Sequence, residues 1–344
     1  MSFSIGIVGL PNAGKSTLFT ALTKKQVDIA EYPFTTIDPN VGQVPVPDRR
    51  LEQIAEITKP EKITPTIISF VDIAGLVKGA HKGEGLGNQF LAHIRECDAI
   101  LEVIRGFSAE SIEHVEGRIN PEKDMEIIRL ELIMKDLETL EKAIAGFEKG
   151  ARDKNSLKRL ELIKRLKNGL EEGKKIDEIN LTEEEISLIK DLQLLTIKPA
   201  LKLINTPEKE QEGYAEMKNV FLADLKLEKE ISEIKESERE ELQMESSLDR
   251  LIVACYNILG LITFYTVAGE KESRAWTLEK GRDILAAAEK VHSDFKEQFK
   301  KAEVIGWQKL IECKSWLGAR EKGSIQTVGK DYVVKDGDII QFKI

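Results

Sequence analysis

A doubly wound α/β sheet, interrupted by an α-helical coiled-coil insertion and followed by a small C-terminal β-grasp module, is the fold this sequence predicts. Three observations predict it. Residues 9 to 16, Gly-Leu-Pro-Asn-Ala-Gly-Lys-Ser, fill every defined position of G-x-x-x-x-G-K-[ST], between an apolar run, Phe3 to Val8, and a helix-compatible stretch, Thr17 to Lys24. Residues 122 to 193 are almost all helix formers, with Ile127, Leu130, Ile133, Met134, Leu137 and Leu140 at three- and four-residue spacing. From about Ile262 strand-like runs return, with turn chemistry between them. The 344 residues are enough for two or three domains, and the expected division is 1–121 with 195–261 for the sheet, 122–194 for the insertion and 262–344 for the last module.

The first glycine-bounded loop reads as a phosphate cradle. Several backbone N–H groups must converge on the β- and γ-phosphates of a nucleotide, and only glycine lets the backbone turn and approach that closely. Gly9 and Gly14 meet that need, with the amides of Asn12, Ala13, Gly14, Lys15, Ser16 and Thr17 around the phosphates. Lys15 would place its ammonium on the β/γ oxygens, and the Ser16 hydroxyl would ligate a bridging Mg²⁺. The helix that starts near Ser16 adds its positive end.

The proline-interrupted segment Glu31 to Asn40 is expected to be a nucleotide-sensing loop, with Thr36, rather than Thr35, as its Mg²⁺ ligand. Thr66 to Gly75 reads as an apolar strand ending in Asp-x-x-Gly; Asp72 would hold a magnesium-bound water and the Gly75 N–H would meet the γ-phosphate. Leu76 stands where Ras-type enzymes carry the glutamine that orients the attacking water. Of His81, His93 and His114, the last is the best candidate to take over that role, although a packing or surface histidine is the commoner outcome for each. Ala99 to Ile104 and Thr196 to Ile204 continue the sheet. The second of these ends in Asn205-Thr206-Pro207-Glu208, where GTP-specific switches carry Asn-Lys-x-Asp. That aspartate accepts from guanine N1–H and its 2-amino group, so Thr206 and the longer Glu208 weaken guanine reading and favour ATP over GTP. Ala223, at the end of the strand-like Asn219 to Ala223, would close the base pocket.

Between residues 149 and 168 stand eight Lys or Arg against two acids, in a chain of net charge -9 and pI near 5.3. The acidic total argues against indiscriminate nucleic-acid binding. The local excess fits either a solvated coil face or a docking tip for an RNA-rich partner. Three widely spaced cysteines, Cys97, Cys255 and Cys313, have no metal-ligand spacing, which points to buried or semi-buried thiols in a reduced, cytoplasmic setting. No run of about 18 apolar residues suggests a membrane span.

Together, GLPNAGKS, YPFTTIDPN, VDIAGLVKGAHKGEGLGNQFL, HVEGRINP and NTPE in place of NKxD make the chain resemble the Obg-like ATPase family of the YchF type, from its first residues to its last. The resemblance implies a translation-factor-class ATPase with an inserted coiled coil, a C-terminal TGS module linked to RNA or ribosome contact, and the ribosome as partner. It also implies K⁺ use, with which Asn12 is consistent. Many relatives carry cysteine at the place of Thr35. In the last module, Asp331 to Lys343 reads as an Asp-Gly hairpin, and Trp307 and Trp316 as core rather than base-stacking residues. The chain is expected to act as a monomer.

Overall fold

Four consecutive buried residues, Ile5 to Val8, and seven in Ala99–Arg105 are what strands covered on both faces require. They form β1 (Phe3–Val8) and β5 (Ala99–Arg105) of a six-stranded sheet. The others are β2 (Val41–Pro45), β4 (Ile67–Asp72), β6 (Ala200–Asn205) and β7 (Val220–Ala223), in the order β2-β4-β1-β5-β6-β7. The pairs β1–β5, β5–β6 and β6–β7 are parallel. The computed structural model describes residues 3–25, 40–73, 93–108, 119–147, 154–234, 238–239, 244 and 246–344. Thr35, Thr36, Gly75, Leu76, His81 and His114 lie outside them.

By contact the chain forms two compact units, Met1–Val44 with Ser69–Leu251, and Pro45–Ile68 with Ile252–Ile344. In the first, α1 (Lys15–Thr23) follows the glycine loop, and α3 (Pro121–Phe147) packs on α4 (Lys154–Glu171) through Ile133, Leu140, Leu162, Ile163 and Leu166. Where the chain returns from α4 and the short α5 (Glu183–Ile189) towards β6, the carboxylate of Asp136 on α3 accepts from Leu195 N, Thr196 N and Thr196 Oγ1, each at 2.8 Å. Asp136 has no solvent exposure, so these three donors replace the water it gives up. The helix α6 (Leu225–Glu233) is capped by Asp224, which accepts from Lys226 N and Leu227 N. α7 (Leu248–Ile258) carries the chain into the second unit.

The second unit is built on a sheet of order β11-β10-β12-β8-β9-β3, with β3 (Lys62–Thr64), β8 (Leu261–Val267), β9 (Glu272–Glu279), β10 (Lys301–Gly306), β11 (Gln326–Val328) and β12 (Asp338–Lys343). One core gathers Ile262, Phe264, Leu278 and Ile340 under the helix Ile284–Val291. The other gathers Tyr265, Ala275, Ile305 and Leu310 with Leu51 and Ile54 of α2 (Arg49–Thr58). Trp307 and Trp316 pack against this second core.

The Asp-Gly hairpin expected near the C-terminus does not form. β12 pairs with β10 and β8, while Val333 makes only an isolated bridge to Asp283. The turn residues serve distant partners instead: Asp336 accepts from Thr263 N at 2.9 Å, and the Gly337 N–H donates to Thr263 O at 2.8 Å. The three cysteines are free thiols, and burial pushes Cys97 up to about 11 and Cys255 higher still.

Candidate functional site

The C-terminal ends of β1, β5, β6 and β7 converge on a cleft of about 900 Å³, the place where a doubly wound sheet opens. Gly14 begins α1 with φ 109°, a left-handed conformation that a side chain would strain. A Cβ there would also lie 2.4 Å from Asn205 Nδ2, and one on Gly9 would lie 2.3 Å from the Val103 carbonyl oxygen. Both glycines are therefore fixed by close approach, Gly14 by its dihedral as well. Asn12 is also left-handed, at φ 62°, with its amide exposed.

Lys15 is only 8% exposed. Its ammonium donates to the Gly9 and Leu10 carbonyls at 3.1 and 3.0 Å, and burial lowers its pKa while Asp72 pulls the other way. Asp72 closes β4, and its N–H donates to Asn40 O at 2.8 Å. Burial raises its pKa, opposed by the Lys15 charge and a hydrogen bond from Ser16. The structure thus brings Lys15 and Ser16 close to Asp72, with Ser16, Thr17, Asn12 and Gly14 along the cleft wall.

At the other end, Asn205 is consumed by the protein. Its Nδ2 donates to Ala13 O at 3.0 Å and its Oδ1 accepts from Leu225 N at 3.1 Å, so it ties the phosphate loop to the start of α6. Thr206 is fully buried; its N–H donates to the Ala223 carbonyl at 2.9 Å. Glu208 is exposed at the start of the 3-10 turn Glu208–Tyr214 and is not part of the cleft wall. The wall there is Phe107, Pro207 and Lys209, with the capping Asp224 and with Lys226 and Lys229 from α6. Sequence reasoning passed over these residues. The available signal for Phe107 was its place just past the end of β5; Arg105 lies over its ring at 4.7 Å and donates to its carbonyl, fixing a flat aromatic surface in the cleft. His93 is exposed and is not among the residues lining this cleft.

Among the described residues, four side chains of the basic stretch in the helical pair are ion-paired. Lys158 meets Glu184 at 3.7 Å, Arg159 meets Asp191 at 2.6 Å, Arg165 meets Glu185 at 3.0 Å, and Lys167 meets Glu141 and Glu171 at 3.2 and 3.4 Å. Lys164 is exposed, and Lys149 and Arg152 lie outside the described residues.

Comparison with known proteins bears on both units. Residues 4–136 match the family model described as 50S ribosome-binding GTPase, and residues 261–344 match the model of the YchF-GTPase C-terminal domain, described as a protein of unknown function. The ribosome-binding ATPase YchF of Bacillus subtilis is 46% identical over 100% of this chain and 99% of its own length. The protein of the same name from Escherichia coli O157:H7 is 44% identical over 99% of each. The solved structure of the Schizosaccharomyces pombe YchF GTPase, 35% identical, matches with a TM-score of 0.85 over 99% of this chain and 98% of that one.

Proposed function

The chain belongs to the YchF family, and from that membership and the geometry of the phosphate loop we propose that it hydrolyses ATP to ADP and phosphate as a nucleotide-dependent switch that binds the ribosome. The observation that carries this reading is the buried Lys15 held beside Ser16 and Asp72, at the mouth of a loop pinned by Gly9 and Gly14. Loop amides and Lys15 hold the phosphates, and Phe107 offers its ring to the purine. The donors Ser16 Oγ and the Asp72 carboxylate are hard oxygens that suit Mg²⁺, with Thr36 as a further ligand by sequence. When bound, Mg²⁺ neutralises charge that develops on the phosphate oxygens. The exposed Asn12 amide offers a neutral oxygen for K⁺. With leucine at 76, orientation of the attacking water falls to another group, and His114 is the candidate.

The packed pair α3–α4 fits the coiled-coil arm, and the mixed sheet of the second unit fits the TGS module. Ribosome contact, ribosomal RNA included, is assigned to these two parts of a cytoplasmic monomer. Since the arm's flank is ion-paired, electrostatic contact rests on its remaining basic residues and on the C-terminal module. The deciding experiment measures ATP turnover and ribosome co-sedimentation with ATP, with ADP and with Lys15→Ala. Ribosome association indifferent to all three would refute the switch. The name of the family model over residues 4–136 and that of the solved neighbour favour a second reading, a GTPase; competition between ATP and GTP for one site separates the two.

A further inference from the structure

Residues 45–68 lie in sequence between the loop that carries Thr36 and the strand that ends at Asp72, yet they are part of the C-terminal unit. The incorporation is thorough. β3 extends the second sheet parallel to β9, with Lys62 opposite Glu272 and Thr64 opposite Arg274, and Thr64 Oγ1 donates to Glu272 at 2.6 Å. α2 buries Leu51 and Ile54 completely or nearly so, against Tyr265 and Ala275. A polar cluster closes the start of α2. Asp48 accepts from Arg50 Nε at 2.8 Å and from the Tyr265 hydroxyl at 2.5 Å. Arg50 also reaches Asp336 at 2.6 Å and covers the Tyr265 ring at 5.7 Å from its centre.

Both strands that leave this segment end at the nucleotide side. β2 begins beside Asn40, whose carbonyl accepts from Asp72 N. β4 crosses from Ile68 in one unit to Ser69 in the other and ends at Asp72, whose N–H donates to Asn40 O and whose carboxylate lies within the field of Lys15. Extended backbone of only four residues, Ser69 to Asp72, has little slack to absorb a displacement of its end.

We infer that segment 45–68 couples the nucleotide site to the C-terminal unit: a change of phosphate charge beside Asp72 is passed along β4 into the sheet that β3 and β9 share, with Arg50 as the positioning residue that holds the segment to Tyr265 and Asp336. The inference rests on the nucleotide switch proposed above and names how it is read out. Coupling of this kind is reciprocal, so whatever binds the C-terminal unit also shifts nucleotide affinity.

The test uses the full chain with Mg²⁺ and either ADP or a non-hydrolysable ATP analogue. Calorimetry gives each affinity, and amide hydrogen exchange is followed over β8 and β9. Exchange there is expected to differ about fivefold or more between the two nucleotides. Arg50→Ala and Tyr265→Phe should each keep both affinities within about twofold, a change well under 1.4 kcal/mol, and lose the difference, while Arg50→Lys restores part of it. Should Arg50→Ala fail to fold, Tyr265→Phe, which removes one hydroxyl, decides. Equal exchange in the wild-type chain with both nucleotides measurably bound, or a difference that survives in the variants, overturns the coupling. Absence of any binding heat refutes the nucleotide reading itself, a separate result.

Discussion

Replacing Asn205 by alanine removes both hydrogen bonds that join the phosphate loop to α6. The side chain is 8% exposed, and its partners, Ala13 O and Leu225 N, are bonded inside the protein. A neutral buried hydrogen bond contributes about 0.5–1.5 kcal/mol net, and each partner left unsatisfied costs about 1–3 kcal/mol. Two such losses, moderated by relaxation, give about 2–4 kcal/mol, divided between the stability of the first unit and the shape of its loop. A share of about 1.4 kcal/mol in the loop alone weakens nucleotide binding about tenfold. The three tryptophans, Trp276, Trp307 and Trp316, all belong to the second unit. Their fluorescence therefore follows the unfolding of that unit, whereas circular dichroism follows both. Asn205→Ala should move the dichroism transition to lower denaturant, leave the fluorescence transition in place and lower ATP affinity. Asn205→Asp keeps an acceptor for Leu225 N but turns a carboxylate oxygen towards the Ala13 carbonyl, so it should damage binding at least as much. An alanine variant with unchanged ATP affinity would refute the argument that this residue shapes the loop.

Three further outcomes follow from the same geometry. Gly14→Ala forces a side chain into the left-handed region, about 1–2 kcal/mol of backbone strain, and against Asn205 Nδ2 at 2.4 Å; calorimetry should detect no ATP binding while the fluorescence transition stays. Asp136→Asn sets an amide N–H₂ or a single oxygen before three donors and should destabilise the first unit by about 3 kcal/mol, seen in the dichroism transition and in faster proteolysis near Leu195. The pH dependence of Mg–ATP affinity should be bell-shaped. Asp72, whose pKa burial raises, must be ionised to hold a metal-bound water, so affinity falls as pH drops through that raised value. Lys15, whose pKa burial lowers, must be protonated to meet the phosphates, so affinity falls as pH climbs through that lowered value. A profile flat on the acid side in Mg²⁺, matched by Asp72→Asn, would count against the carboxylate's role.

What could be read from the sequence was local. The loop from Gly9 to Ser16 declares itself because dihedral demand, amide convergence and the lysine all fall within eight residues, and β1 and β5 declare themselves because strands covered on both faces are mostly apolar, Glu102 being the one charge inside β5 ahead of its last residue, Arg105. The end of α4 was visible in its glycines, Gly173 taking φ 80° beyond the last turn. Long-range partners were not visible. Leu51 and Ile54 mark an apolar helix face, but nothing near them in sequence says that Tyr265 and Ala275 cover it. Asp336-Gly337 has hairpin chemistry, yet β12 gains more by pairing with β10 over six residue pairs than a two-stranded ribbon could offer. The charge partners of Lys158, Arg159 and Arg165 were hidden for the same reason: Glu184, Asp191 and Glu185 lie on the following segment and not beside them.

The choice of purine turns on what the cleft withholds. Guanine is normally read by a carboxylate that accepts from N1–H and the 2-amino group. Here the nearest acid in the motif, Glu208, faces solvent, Thr206 is sealed beneath Ala223, and Asn205 is spent on Ala13 and Leu225. The remaining wall of Phe107, Pro207 and Lys209 suits either base, and the carboxylate beside it, Asp224, has its Oδ1 committed to the amides of Lys226 and Leu227 at the start of α6 instead of the guanine edge. Two donors of guanine, desolvated and unmatched, cost about 1–3 kcal/mol each if fully enclosed, and the half-open cleft reduces that. ATP should therefore bind about tenfold or more tightly than GTP by calorimetry, through loss on the guanine side and not through a special contact to adenine. Thr206→Val separates the two origins. The hydroxyl is buried without a hydrogen-bond partner among the described residues, so its removal should leave stability equal or raise it by up to about 1 kcal/mol and leave the ATP to GTP ratio where it was. If valine at 206 instead collapsed that ratio, the hydroxyl would be reading adenine directly, and discrimination by omission would be the wrong account.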